Sequence, residues 1–221
     1  MSNPTPVVVA NLKANRTWQE IESWLDAVGS KSKNFNGTVI FCPSYPFLAI
    51  CKEKIDRDSI NIKLGSQDIS KFEQGAYTGE VAASQIAKLV EYAIIGHSER
   101  RQNFKEDDKV LEEKVENANA AGIKPIFCVQ NEETPIPQSV SIVAYEPVFA
   151  IGTGNPDTPD NIEKVISALK NAGSLTVLYG GSVSASNVKS FVDQQSVDGV
   201  LVGASNSLDP QKFVAILDAL K

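Results

Sequence analysis

The sequence predicts an α/β fold: a closed barrel of eight parallel strands ringed by helices. Three observations carry this reading. Eight short runs rich in β-branched and apolar residues alternate with helical patterns along the 221 residues. These runs are apolar throughout rather than at every second position, as strands buried on both faces of a parallel sheet are. The residues of strongest chemical character, Lys13, His97 and Glu146, each fall just after such a run, and functional groups of α/β barrels collect at the carboxyl ends of their strands. An open doubly wound sheet is the alternative that strand count alone leaves open. No linker or low-complexity tract interrupts the pattern, so residues 1–221 read as one domain.

Pro4 and Pro6 keep the start irregular, and Val7-Val8-Val9-Ala10 is the first strand, ending in Asn11-Leu12-Lys13. Thr17-Trp18-Gln19-Glu20 has the form of a capping box, in which threonine and glutamate satisfy free amides of the first turn. Trp18, Ile21, Leu25 and Val28 then recur at helical spacing. Thr38-Val39-Ile40-Phe41-Cys42 is the second strand, followed by Pro43 and a short helix over 47–55. Residues 60–64 form the third, and a long loop over 65–79 leads into a helix over 80–90. Tyr92-Ala93-Ile94-Ile95-Gly96 is the fourth strand. The helix beyond Asp107 turns Val110, Leu111, Val115, Ala118 and Ala121 inward, and Gly122 stops it. Ile126-Phe127-Cys128-Val129 is the fifth strand and 141–144 the sixth. Thr158 caps a helix with Pro159 at its first position, and Ile162, Val165, Ile166 and Leu169 form the buried face. Residues 175–179 and 199–203 are the last two strands, and Asp209-Pro210 opens the final helix.

One unit is incomplete. Only residues 130–140 separate the fifth strand from the sixth, and they include Pro135 and Pro137. A parallel crossover takes a dozen or more residues, usually with a helix, and proline removes a helical hydrogen bond and clashes with the preceding turn. The barrel therefore lacks one outer helix. Apolar surface near strands five and six is expected to lie exposed there, unless 134–140 drapes over it or a second subunit covers it.

A net charge of −6 argues against a general nucleic-acid partner, and it requires any anionic ligand to find a locally positive site. No apolar run reaches membrane-spanning length, and the first twelve residues lack a secretory pattern. Cys42, Cys51 and Cys128 are odd in number and unclustered, so neither a disulfide framework nor a metal site is expected; a reducing cytoplasm fits them. No cofactor is called for.

The most informative stretch is Val143-Ala144-Tyr145-Glu146-Pro147-Val148-Phe149-Ala150-Ile151-Gly152-Thr153-Gly154. A strand delivers a carboxylate, proline stiffens the next step, and two glycines give the following segment freedom to move. Taken singly, Glu146 is a solvated glutamate, Lys13 a solvated lysine, His97 a structural hydrogen-bonder and Gly180-Gly181 a turn. All of them at one end of a barrel is poorly explained that way.

The run from Tyr145 to Gly154 resembles the base-and-lid segment of triosephosphate isomerase. So, in family order, do Asn11-Leu12-Lys13, Gly96-His97-Ser98-Glu99-Arg100-Arg101, Tyr179-Gly180-Gly181-Ser182-Val183 and Leu201-Val202-Gly203-Ala204-Ser205. The resemblance covers nearly the whole chain. It implies a TIM (β/α)8 barrel and an isomerase of glycolysis and gluconeogenesis that interconverts glyceraldehyde 3-phosphate and dihydroxyacetone phosphate. By the same resemblance Glu146 is the base, His97 and Lys13 stabilise the developing oxyanion, Glu99 positions Lys13 and Asn11 donates to the substrate. The amides of Gly152, Ser182, Gly203 and Ala204 hold the phosphate, and Pro147, Val148 and Phe149 form the lid hinge. The loop 67–80 inserts into a second subunit, with Thr78 at the interface of a homodimer. Arg100 and Arg101 read as structural ion-pair residues.

The chain departs from the family pattern at several points. Phe149 replaces a tryptophan and loses its indole donor, Leu12 replaces another, and Ala14 stands where many members carry methionine. Ala204 replaces the second glycine of the phosphate site, and Gln130-Asn131 replaces a Gly-Glu beside the missing helix. None removes a catalytic group. A phosphate-binding barrel without turnover and a barrel enzyme for a larger sugar phosphate are the alternatives.

Overall fold

The computed structural model describes residues 5–171 and 173–221; Pro4 and the rest of the first four residues lie outside it. Eight parallel strands close into a barrel in sequential order. They are β1 (Val7–Asn11), β2 (Thr38–Cys42), β3 (Lys63–Ser66), β4 (Tyr92–Ile95), β5 (Lys124–Val129), β6 (Ile142–Tyr145), β7 (Thr176–Tyr179) and β8 (Gly199–Val202). The seam joins β8 back to β1, with Val7 opposite Gly199. A Cβ on Gly199 would lie 2.0 Å from the Val7 carbonyl oxygen, so closure requires glycine there.

The uninterrupted apolar runs have a simple cause. Val9, Ile40, Ile94, Ile126, Leu178 and Leu201 fill the barrel interior. Their strand neighbours Val8, Phe41, Ile95, Phe127, Val177 and Val200 point outward into the layer beneath the helices. Both faces of every strand are buried, so no polar alternation is tolerated.

Around the barrel run α1 (Trp18–Ser32), α2 (Leu48–Arg57), α3 (Ala83–Ile86), α4 (Ser98–Phe104), α5 (Asp108–Ala120), α6 (Pro159–Asn171), α7 (Val188–Val192), α8 (Ala204–Leu208) and α9 (Pro210–Ala219). Local signals set several ends. The Glu20 carboxylate accepts from the Thr17 amide at 2.8 Å and opens α1. Asp107 caps α5 through the Val110 amide at 2.9 Å, and Gly122 beyond its end is left-handed at φ +74. The Thr158 hydroxyl accepts from the Asn161 amide at 3.3 Å ahead of α6. Of the two tryptophans of α1, Trp24 is the buried one and Trp18 is half-buried: Trp24 stacks on Phe41 at 4.4 Å and donates to the Ser207 carbonyl at 2.8 Å.

Three expectations shift. The third strand begins at Lys63, because the Ile60 amide is captured by the Ile55 carbonyl and finishes α2 instead. The helix expected over 80–90 is the single turn α3, because the Val81 carbonyl accepts from the Ser70 amide and ties that stretch to the preceding loop. The polar turn after His97 forms the extra helix α4.

No helix lies between β5 and β6. The apolar surface expected to be bare there is not bare. Phe127, Val129, Val143 and Tyr145 are all buried, and the large apolar side chains exposed among the described residues are Ile50, Tyr77, Phe104, Val148 and Phe149, none of them on β5 or β6. The segment 130–141 forms a strap: Val140 is buried and Ile136 packs on the core. The Asn119 side chain on α5 holds the strap through the Ser139 hydroxyl at 2.9 Å. A second subunit is not needed to cover these strands. No described helix is long and apolar enough to cross a membrane.

Candidate active site

The carboxyl ends of the strands surround a cavity of about 490 Å³. Lys13, His97 and Glu146 line it together with Gly152, Ser182, Gly203 and Ala204. Seven of the nine groups assigned to catalysis or phosphate binding therefore line it, and an eighth, Glu99, pairs with the Lys13 ammonium. The ninth, Asn11, is buried at the end of β1 and does not line the cavity; its side-chain oxygen accepts from the Lys13 amide at 3.0 Å.

Lys13 sits in the left-handed region at φ +54, an unfavourable place for a residue with a side chain. Its surroundings hold it there: the Lys13 carbonyl accepts from the Gln67 side-chain amide at 2.8 Å and the Ser44 hydroxyl at 3.0 Å. The ammonium pairs with Glu99, as expected from the sequence. Gln67 was not foreseen, since a single glutamine in a long loop gives no local signal of a contact to β1.

His97 caps α4, with Nδ1 accepting from the Glu99 amide at 3.2 Å. A nitrogen that accepts a hydrogen bond keeps its lone pair, so the proton of the neutral ring belongs on Nε2. Nε2 faces the Glu146 carboxylate at 3.3 Å. The ring therefore presents a donor to the cavity.

Glu146 is only 1% exposed. One oxygen accepts from the Ser98 amide at 3.1 Å and the other faces His97. Its backbone amide is fixed by the Val129 carbonyl at 2.8 Å. A Cβ on Gly180 would come within 2.9 Å of the Glu146 side chain, so the first glycine of the pair is required by this approach. Burial, and after it the charge of Glu146, pushes the neighbouring Cys128 thiol well above its usual range and keeps it protonated.

After Pro147 the chain makes a short 3-10 turn at Val148–Ala150, which leaves Val148 and Phe149 55% and 63% exposed. Ser182 reaches across from the end of β7. Its hydroxyl donates to the Ala150 carbonyl and accepts from the Gly154 amide at 3.2 Å. Arg100 and Arg101 do not line the cavity, and they bond Glu106 and Asp108. Thr78 is exposed on its loop, and no residue of 67–80 lines the cavity.

A sequence model of the family described as triosephosphate isomerase matches residues 6–136 and 136–220. The chain belongs to the triosephosphate isomerase family. The two matched segments meet at residue 136, inside the strap, which places the lost helix there. The chain is 35% identical over 244 aligned positions to the triosephosphate isomerase of Hahella chejuensis (strain KCTC 2396), covering 96% of this chain and 97% of that protein. It is 36% identical over 249 positions to the triosephosphate isomerase of Thermodesulfovibrio yellowstonii (strain ATCC 51303 / DSM 11347 / YP87), covering 97% and 99%. It is 34% identical over 238 positions to that of Mesomycoplasma hyorhinis, covering 96% and 97%.

Ala204, where the family pattern has glycine, lies at φ +53. Glycine adopts this conformation without strain, and alanine does not. Ala204→Gly is expected to raise unfolding stability by about 0.5–1 kcal/mol, the surplus of relieved strain over added chain entropy. An increased urea midpoint at unchanged slope is the measurement.

Proposed function

We propose that the chain interconverts D-glyceraldehyde 3-phosphate and dihydroxyacetone phosphate, the triose-phosphate isomerisation of glycolysis and gluconeogenesis. The observation that carries this reading is the convergence of a buried carboxylate, a ring N–H donor and an ammonium on one cavity that Gly152, Ser182, Gly203 and Ala204 also line.

In this reading Glu146 removes the proton from the carbon beside the carbonyl. The carbonyl oxygen gains negative charge, and His97 Nε2–H and the Lys13 ammonium donate to it. A proton passes between the two oxygens, and Glu146 returns its proton to the former carbonyl carbon. General base catalysis supplies on the order of 10²–10⁴. Each donor aimed at the oxyanion adds about 3–4 kcal/mol. Glu99 holds Lys13 in place, and Asn11, which fixes the Lys13 amide through its side-chain oxygen, donates its side-chain NH2 to the substrate once the substrate is seated against Lys13. The amides of Gly152, Ser182, Gly203 and Ala204 form a concavity for the phosphate, which an acidic protein must build locally. The lid, hinged at Pro147, Val148 and Phe149, closes over it and excludes water. Isomerase turnover of glyceraldehyde 3-phosphate by the purified chain tests the assignment. A folded chain that binds inorganic phosphate without turnover would replace it with a binding barrel.

Residues 1–221 act as one domain in a homodimer in the cytoplasm. The loop 67–80 supplies the contact, with Thr78 at its centre and the exposed ring of Tyr77 preceding it in the chain. Sedimentation equilibrium is expected to give twice the 23.8 kDa chain mass. Thr78→Arg, which puts bulk and charge in the contact, is expected to shift that mass toward one chain at micromolar concentration.

A further inference from the structure

Four hydrogen bonds meet at Asp157, where the lid rejoins the barrel. One carboxylate oxygen accepts from the Tyr145 hydroxyl at 3.3 Å and the Asn161 side-chain amide at 2.7 Å. The other accepts from the Thr158 backbone amide at 2.7 Å. The Asp157 amide itself donates to the Tyr179 hydroxyl at 2.9 Å. The residue is only 9% exposed, and no cation pairs with it among the described residues. A buried carboxylate held by neutral donors alone is costly, so it is kept for the geometry it imposes.

That geometry joins the two strands that carry the site. Tyr145 immediately precedes Glu146, and Tyr179 immediately precedes Gly180-Gly181-Ser182. Burial, and after it the Asp157 charge, pushes the Tyr145 hydroxyl well up from its ordinary range, so it remains a donor at working pH. Burial likewise raises Tyr179, to about 12. The other end of the lid is held differently: the Ala150 amide bonds the Pro147 carbonyl at 2.8 Å and the Ala150 carbonyl accepts from the Ser182 hydroxyl. Val148 and Phe149 are exposed and apolar, and Phe149 lacks the indole donor of the family pattern.

We propose that Asp157 is a positioning residue: it pins the carboxyl end of the lid to β6, β7 and α6, so that the lid pivots there and brings the amides of 152–154 into register with Ser182 over the phosphate. The benefit to phosphate binding rests on the isomerase reading; the latch itself does not. A lid that is in place only part of the time lowers apparent affinity by that fraction.

The test compares Asp157→Ala, Asp157→Asn, Tyr145→Phe and the Ala/Phe double variant with the parent. The readouts are kcat and KM for glyceraldehyde 3-phosphate, competitive inhibition by inorganic phosphate, and amide hydrogen exchange of the 147–158 peptide beside barrel-strand peptides. Asp157→Ala is expected to raise KM and the phosphate inhibition constant together, by roughly tenfold, about the value of one hydrogen bond to a charged group. Exchange of 147–158 rises while the strand peptides stay as in the parent. Asp157→Asn, which still offers an acceptor oxygen, recovers most of both changes, and the double variant is no worse than Asp157→Ala. Values within about twofold of the parent throughout, smaller than the loss of one net hydrogen bond, overturn the proposal. So does exchange that rises equally in the barrel strands, which would make Asp157 a structural residue only. Should Asp157→Ala not fold, Tyr145→Phe cuts the same bond from the barrel side and decides. Should the parent show no turnover, the isomerase reading fails alone, and lid exchange still supports or overturns the latch.

Discussion

Replacing Glu146 with glutamine lowers kcat for glyceraldehyde 3-phosphate by about 10²–10⁴, the contribution of a positioned general base. The substitution is nearly isosteric. The glutamine oxygen can still accept from the Ser98 amide, which now holds one carboxylate oxygen at 3.1 Å. What disappears is the lone pair basic enough to take a proton from carbon. KM is expected to stay within about threefold, because the groups proposed to hold the phosphate are other residues and the lost interaction belongs to the transition state. Steady-state kinetics on the parent and variant purified in parallel make the measurement, and the parallel preparation guards against traces of a host isomerase. Retention of more than a tenth of the parental rate would move the base elsewhere. The neighbouring Cys128 thiol cannot take that place, since burial and then the Glu146 charge keep it protonated.

Much of the fold was legible because its cause is local or periodic. The strands of a doubly covered sheet are apolar without alternation, and that pattern survives whatever packs on them. Asp107, Thr158 and Gly122 mark helix ends by chemistry confined to one turn. The errors have the opposite origin. Ile60 and Ile62 are apolar enough for a strand, yet the Ile60 amide is claimed by the end of α2. Val81 has the look of a helix start, yet its carbonyl is claimed by Ser70. Trp24 rather than Trp18 fills the core because Phe41, on another element, offers it a ring to stack on.

The site divides the same way. Lys13, His97 and Glu146 were visible through their place after strands and through the motifs around them. The protonated nitrogen of His97 was not, because it depends on which group bonds Nδ1. Gln67 and Asp157 were invisible: the first acts on Lys13 from 54 residues away and the second on Tyr179 from 22. The strap was half legible. Its two prolines excluded a helix, but only the packing of Ile136 and Val140 shows that the strands beneath stay covered.

Replacing Lys114 with methionine is expected to destabilise the fold by about 3–5 kcal/mol, the cost of breaking a buried ion network from one side. Lys114 on α5 is only 3% exposed. Its ammonium bonds both oxygens of Asp68 at 2.7 Å and Glu106 at 2.6 Å. Arg100 on α4 completes the network, reaching Asp68 at 3.0 Å and Glu106 at 2.6 Å. The two carboxylates respond differently to the same cations. At Asp68 burial outweighs them and the carboxyl rises to about 6. At Glu106 burial also pushes upward, but the bonds from Arg100 and Lys114 outweigh it and the carboxyl is lowered. Methionine fills the lysine's space and leaves both acids dependent on Arg100. Asp68 then rises further, and this sets the sign of the pH dependence. A folded-state value above the unfolded one means that the folded chain binds more protons, so stability falls as pH rises from about 4 through the raised value. The deficit of the variant is therefore larger at pH 7.5 than at pH 5, and urea unfolding at the two values measures it. The consequence reaches the site, because Arg100 belongs to the helix whose first residue, Ser98, holds the Glu146 carboxylate. A loss under about 1 kcal/mol, the size of an exposed pair, and equal at both pH values would show that water reaches the network and that α4 is anchored by its packing instead.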